Sequence, residues 1–208
     1  PVTGEDITMR NSWQADVIVN RSVPGNENRN NYRDFVLIFQ DEDNLLGTSF
    51  MPYAQKVAGL TGVNYRASDP LDYALENNCE IGMLFQCVAE KGGLNTPVLE
   101  AHAGDPVLIH VLGGFNEQVG VFALDGHEWA VDQFRGAHLH SSLEFGGSSY
   151  IRVDLSGGAG GPNQLPGDYV YMNHRAAYID AGQWGILRVA PKGDKRILAL
   201  DGQDQKVR

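Results

Sequence analysis

Pro166-Gly167-Asp168-Tyr169-Val170-Tyr171-Met172-Asn173-His174 leads, eight residues on, into Gly182-Gln183-Trp184-Gly185-Ile186-Leu187-Arg188-Val189. Each half opens on a glycine turn signal and continues as a short run of aromatic and β-branched residues, the composition of a β-strand. The stretch therefore predicts strands over 168–172 and 184–189. Working outward, Tyr150 to Leu155 alternates, with Ile151, Val153 and Leu155 on one face and Tyr150, Arg152 and Asp154 on the other. Pro106 to Leu112, Val119 to Leu124 and Trp129 to Asp132 read as further strands, and Arg196 to Leu200 as a last edge. Many short strands with Gly-rich turns between them predict an all-β sandwich.

The first half is less regular. Phe35-Val36-Leu37-Ile38-Phe39-Gln40 is a clear strand, ending in the acidic run Asp41-Glu42-Asp43. Residues 45–78 look irregular apart from Ser68-Asp69-Pro70, which can start a short helix with Pro just inside its first turn. Residues 79–90 are expected to hold a strand or hairpin. Residues 1–33 are mostly polar, with a Pro24-Gly25 turn and an Asn-rich stretch, and read as an extended arm or interdomain connection, leaving 34–208 as the folded domain. The chain begins at Pro1, which suggests a cleaved or truncated piece, and Asn20-Arg21-Ser22 matches the glycosylation pattern.

Composition removes several function classes. With 16 basic and 26 acidic side chains the formal charge is −10, so little is available to neutralise phosphates and no nucleic-acid partner is expected. No membrane association is expected either, since no apolar run is long enough to span a bilayer. The two cysteines, Cys79 and Cys87, are close enough for a tight hairpin to join them, which would imply an oxidising compartment; two reduced core thiols are the competing reading.

Three segments carry a resemblance. Pro97-Val98-Leu99-Glu100-Ala101-His102-Ala103-Gly104-Asp105-Pro106-Val107 is the first, Phe122-Ala123-Leu124-Asp125-Gly126-His127-Glu128-Trp129 the second, and the 166–189 stretch the third. In order and spacing they resemble a cupredoxin-like domain of the multicopper oxidase family, closest in wording to large bacterial members linked to manganese oxidation. The resemblance implies a Greek-key β-sandwich, packing against other cupredoxin domains, and an extracytoplasmic location, periplasmic or secreted. It also implies where copper ligands would stand. With His174 placed on the last residue of the family's His-Cys-His, the cysteine position is Asn173 and the first histidine Met172. The following histidine is Tyr178 and the axial position Gln183. The three upstream ligand histidines fall on Gly120, Ala123 and Asp125, while His127 matches a histidine that is usually not a ligand. A blue copper needs a thiolate and two imidazoles, so no cofactor is expected in this chain.

Copper could still be held elsewhere. His138-Leu139-His140 on a strand would aim both imidazoles to one face, with Glu144 a candidate third ligand. His174 and His127 complete the candidate metal residues, each with a competing reading as a packed or hydrogen-bonded side chain; His102 and His110 are assigned nothing. Asp41, Glu42 and Asp43 could bind a hard cation, although a run of acids in a loop is more often a solvated turn. The Gly-rich run Ser156 to Gly161 lacks a Lys-Ser/Thr pair and is a loop rather than a phosphate cradle. The expected function is an architectural domain or subunit of a larger oxidase-like assembly. The alternatives are a stand-alone extracellular sandwich that associates with identical chains through strand edges, and a small histidine-based copper-binding protein.

Overall fold

The computed structural model describes residues 4–41, 61–116, 118–131 and 136–200. Glu42 and Asp43 of the acidic run lie outside the described residues, as do 45–60 and Asp132. Two sheets face each other. The first takes β1 (Glu5–Asn11), β2 (Gln14–Val19), β3 (Tyr32–Asp41), β6 (Val107–Asn116) and β11 (Tyr150–Asp154) in the order β1-β2-β3-β6-β11, with the short β4 (Gly62–Val63) on β3. The second runs β10 (Ser142–Phe145), β7 (Gly120–Leu124), β12 (Gly167–Asn173), β13 (Trp184–Ala190), β5 (Val98–His102). β8 (Trp129–Ala130) and β9 (Leu139–His140) form a small ribbon. The β3–β6 and β13–β5 pairs are parallel and the others antiparallel, which requires strands to cross between the sheets.

Period-2 alternation decides which side chains meet between the sheets. Phe35, Leu37 and Phe39 of β3, Val107, Ile109 and Val111 of β6, and Ile151 and Val153 of β11 turn inward against Leu99, Ala101, Phe122, Leu124, Tyr171, Leu187 and Val189. Removing an aromatic such as Phe35, fully buried here, costs about 3–5 kcal/mol. The second sheet is apolar on its other face too. Ala123, Val170, Met172, Trp184 and Ile186 pack under α1 (Pro70–Glu76) and α2 (Leu84–Lys91), meeting Tyr73, Ala74, Leu84, Cys87 and Val88. Gly185 permits the closest approach in this sheet: the hydroxyl of Tyr171 would lie 2.2 Å from a Cβ there, and that hydroxyl donates to the Pro97 carbonyl at 2.7 Å.

The strands expected from 35–40, 106–112, 119–124, 150–155, 168–172 and 184–189 are all present within a few residues. The helix at Asp69-Pro70 is present as well. The Asp69 carboxylate accepts from the N–H groups of Leu71 and Asp72 at 2.8 and 3.0 Å, and Pro70 starts the helix.

Three expectations are corrected. Residues 1–33 are not simply an extended arm: β1 and β2 form a hairpin whose second strand pairs with β3 through Gln14–Phe35 to Val17–Tyr32. Residues 79–90 hold a 3₁₀ turn (Ile81–Met83) and α2 instead of a hairpin, because Leu84, Cys87 and Val88 recur at helical spacing and bury one face. Cys79 and Cys87 are joined in a disulfide that ties the segment after α1 to α2. Residues 191–200 form turns rather than an edge strand, and Lys192, Gly193 and Asp194 supply turn residues without alternation.

Candidate metal centre

The positions at which the resemblance implies copper ligands converge where β7, β12 and the start of β13 meet. Met172 pairs with Ala123 and Asn173 with Phe122, and the His174 N–H donates to the Val121 carbonyl at 2.7 Å. After β12 the chain folds through α3 (Ala176–Asp180) and returns at Gln183. The return is fixed by the Asn173 N–H donating to the Gln183 carbonyl at 3.0 Å and the Gln183 N–H donating to the Tyr178 carbonyl at 2.8 Å.

Asn173 and Gln183 are buried. The Asn173 Oδ1 accepts from the Val121 N–H at 2.9 Å, and its Nδ2 donates to Gln183 Oε1 at 2.8 Å. The Gln183 Nε2 donates to the Gln40 carbonyl on β3. The Tyr178 hydroxyl donates to the buried Asp41 carboxylate, and the Arg175 guanidinium lies 5.0 Å over the Tyr178 ring. Arg175 is itself held by the Val119 carbonyl at 2.6 Å. These bonds cross from one sheet to the other and tie the end of the sandwich together.

Gly120 adjoins the same cluster. A Cβ on it would meet the Phe145 ring at 2.5 Å and the Asn173 amide nitrogen at 2.8 Å, so no side chain fits there without repacking. Gln40 Nε2 is buried without a hydrogen-bond partner among the described residues, but it is a donor and offers a cation nothing. The remaining positions do not assemble a donor set. Ala123 and Met172 are sealed into the apolar layer beneath α1 and α2, whereas Asp125 and His174 are exposed. These residues do not fit a blue copper: Asn173, Tyr178 and Gln183 offer amide and phenol groups that are hard and already engaged instead of a thiolate and imidazole, and of the upstream positions Gly120 and Ala123 lack any donor.

The candidate histidines sit in different surroundings. His127 is buried. Its Nδ1–H donates to the Asp125 carbonyl at 2.8 Å, its Nε2 accepts from the Gly160 N–H at 2.9 Å, and its ring meets Tyr169 edge-on at 4.6 Å. Both nitrogens are used, and burial pushes its pKa below the ordinary 6.5. His138 and His140 are exposed, with only His140 on β9, where it pairs with Trp129. Glu144 lies on β10 opposite Val121. No group of three or more His, Cys, Asp or Glu side chains that could hold a metal occurs among the described residues.

Sequence reasoning passed over His102 and His110. The His102 Nε2 lies 2.9 Å from the Asp194 carbonyl, and its Nδ1 lies 3.5 Å from Arg33. His110 bridges Tyr150 at 2.8 Å and Asp34 at 2.9 Å across three strands. Strand alternation around Val111 could have placed His110 on the outer face, but its partners come from other strands.

No family model matches the chain, and no curated protein is significantly similar to it in sequence. Among solved structures, a laccase from Botrytis aclada superposes with a TM-score of 0.50 at 18% identity, over 82% of this chain and 31% of that one. A multi-copper oxidase from Pediococcus acidilactici gives 0.49 at 8% identity, over 78% of this chain and 27% of the other. A copper nitrite reductase from Nitrosomonas europaea gives 0.46 at 13% identity, over 78% and 49%. The chain thus spans less than half the length of each of these proteins. Two facing sheets with crossing parallel pairs, together with the laccase superposition, give this chain the cupredoxin-like β-sandwich fold found in multicopper oxidases.

Proposed function

We propose that this chain is an architectural cupredoxin-like domain or subunit of a larger multicopper-oxidase-like assembly, without a blue copper or trinuclear ligand set of its own. One observation carries the reading. The positions where the resemblance implies ligands are occupied by Gly120, Asn173, Tyr178 and Gln183, and the last three are knitted into a buried hydrogen-bond network with Gln40 and Asp41. Such a network stabilises the sandwich end, with each bond contributing about 1 kcal/mol, and leaves no thiolate and, among these positions, only the exposed imidazole of His174 for electron uptake. Any oxidation chemistry then belongs to neighbouring domains, and this chain supplies shape and contact surface to them. The Cys79–Cys87 disulfide supports an extracytoplasmic site of action.

Metal content after purification without chelators and dialysis against Cu²⁺ tests the reading. The expected result is copper well below one atom per chain and no intense visible thiolate-to-copper band. Stoichiometric copper would overturn it, and copper lost on the paired substitution of His138→Ala and His140→Ala would locate the ions at that histidine pair.

A further inference from the structure

We propose that β1 joins two copies of this chain through antiparallel strand pairing about a two-fold axis at Thr8. β1 is the end strand of the first sheet among the described residues. Ile7 and Met9 on it are 59% and 64% exposed. The strand Glu5-Asp6-Ile7-Thr8-Met9-Arg10-Asn11 contains neither Lys nor Pro, and its charges, Glu5, Asp6 and Arg10, are of both signs, so they guard the edge against most partners but not against a copy that matches them.

The backbone parity is set by the hairpin. The Gly4 carbonyl accepts from the Asn20 N–H at 2.8 Å, so Gly4 faces β2. Alternation then turns Asp6 and Thr8 toward β2 and the N–H and C=O groups of Ile7 and Met9 toward the open side. In a pairing centred on Thr8, Ile7 stands opposite Met9 of the second copy, and Met9 opposite Ile7. Both point outward, so each such pair can exchange both of its N–H···O bonds.

The side chains select the same register. It brings the apolar Ile7 and Met9 together and sets exposed Asp6 opposite Arg10 of the second copy. Arg10 is already oriented by the carboxylate of Asp16. Centring on Ile7 instead would put Glu5 against Met9 and Asp6 against Thr8, losing both matches. Sliding one strand by a single residue would set inward-facing groups against outward-facing ones and form no ladder. The register irregularity between Met9 and Asn11 ends the ladder, so the contact is short and the dimer weak and concentration-dependent. This inference is independent of the copper reading, because β1 contains none of the ligand positions.

Thr8 supplies the test. The two copies of residue 8 would form a non-hydrogen-bonded pair with Cα atoms about 4.5 Å apart, within disulfide reach. The native cysteines are both consumed by the Cys79–Cys87 bond. Mild oxidation of Thr8→Cys should give a covalent dimer faster than Asp72→Cys, an exposed control on α1. Sedimentation equilibrium of the unmodified chain should show a dimer that Ile7→Pro and, independently, Asp6→Arg weaken at least tenfold. The proline removes an outward N–H, and the arginine opposes like charges. The circular dichroism of each variant shows that it is folded, and Asp6→Arg keeps the test open if Ile7→Pro is not. A chain that stays monomeric, a dimer indifferent to the folded variants, or a Thr8→Cys rate equal to the control would each overturn the proposal.

Discussion

Asn173 shows how one buried side chain can tie two strands together. Its amide joins the Val121 N–H on β7 to the Gln183 side chain at the head of β13. Asn173→Ala would leave a backbone donor and the Gln183 Oε1 unpaired in a dry site, at about 2–4 kcal/mol, measurable as a drop in denaturant midpoint at unchanged m-value. His127 gives a second prediction. Its folded pKa lies below 6.5, chiefly because burial disfavours the imidazolium, so the unfolded chain takes up a proton more readily. The stability it contributes is complete above about pH 6.5 and declines as pH falls from there toward the folded value. Comparing unfolding free energies at pH 7.5 and below 6 should show a larger fall for the parent than for His127→Gln, which cannot titrate. Equal falls would assign the acid sensitivity to other groups. The resemblance is what singled out Asn173, Tyr178 and Gln183. The network that joins them was not legible in the sequence, because Gln40 and Asp41 come from a strand more than a hundred positions away.

Legibility differed between elements for physical reasons. The sandwich strands announce themselves by alternation, and α1 by its Asp69-Pro70 start. The second helix did not, because Ile81 to Val88, spanning the 3₁₀ turn and the start of α2, read as a short apolar run whose period is ambiguous over so few residues. The hairpin β1–β2 was masked because polar residues stand on both strands, Asp6, Thr8 and Arg10 on β1 and Gln14 and Asp16 on β2. The helical cover is closed by the Cys79–Cys87 bond, which spans a sequence separation of 8. Loop-closure entropy for so short a loop predicts that replacing both cysteines by serine costs about 2–3 kcal/mol. Hydrogen exchange should localise that loss: amides of α1 and α2 become less protected, while β6 and β12 change only with global stability. Uniform loss across the strands would mean that the helical cover and the sandwich unfold as one unit.

At the scale of the whole molecule, the sandwich is tied at one end by a buried cation. Carrying the β3 alternation back from Phe39, Leu37 and Phe35 puts Arg33 on the core face, where it is 1% exposed. Its Nη1 donates to Asp16 on β2 at 2.7 Å and its Nε to Asp105 before β6 at 2.9 Å. Its Nη2 donates to the Leu198 carbonyl at 2.6 Å, so one guanidinium gathers the N-terminal hairpin, the β5–β6 turn and the C-terminal turns. Burying this charge is expensive, and the cost is recovered only because its donors are satisfied at good geometry. Removing one partner is therefore worse than removing two. Arg33→Met leaves Asp16, itself 2% exposed, as a buried carboxylate with Arg10 as its remaining cationic partner, and should cost about 3–5 kcal/mol. Adding Asp16→Asn removes the stranded charge and should return part of that loss, a coupling that a double-mutant cycle of unfolding free energies measures directly. Asp105 should couple more weakly to Arg33, since at 16% side-chain exposure it retains water when the guanidinium is gone. If the Arg33→Met and double variants are equally unstable, the guanidinium acts by filling space, and the three segments are held by apolar packing instead.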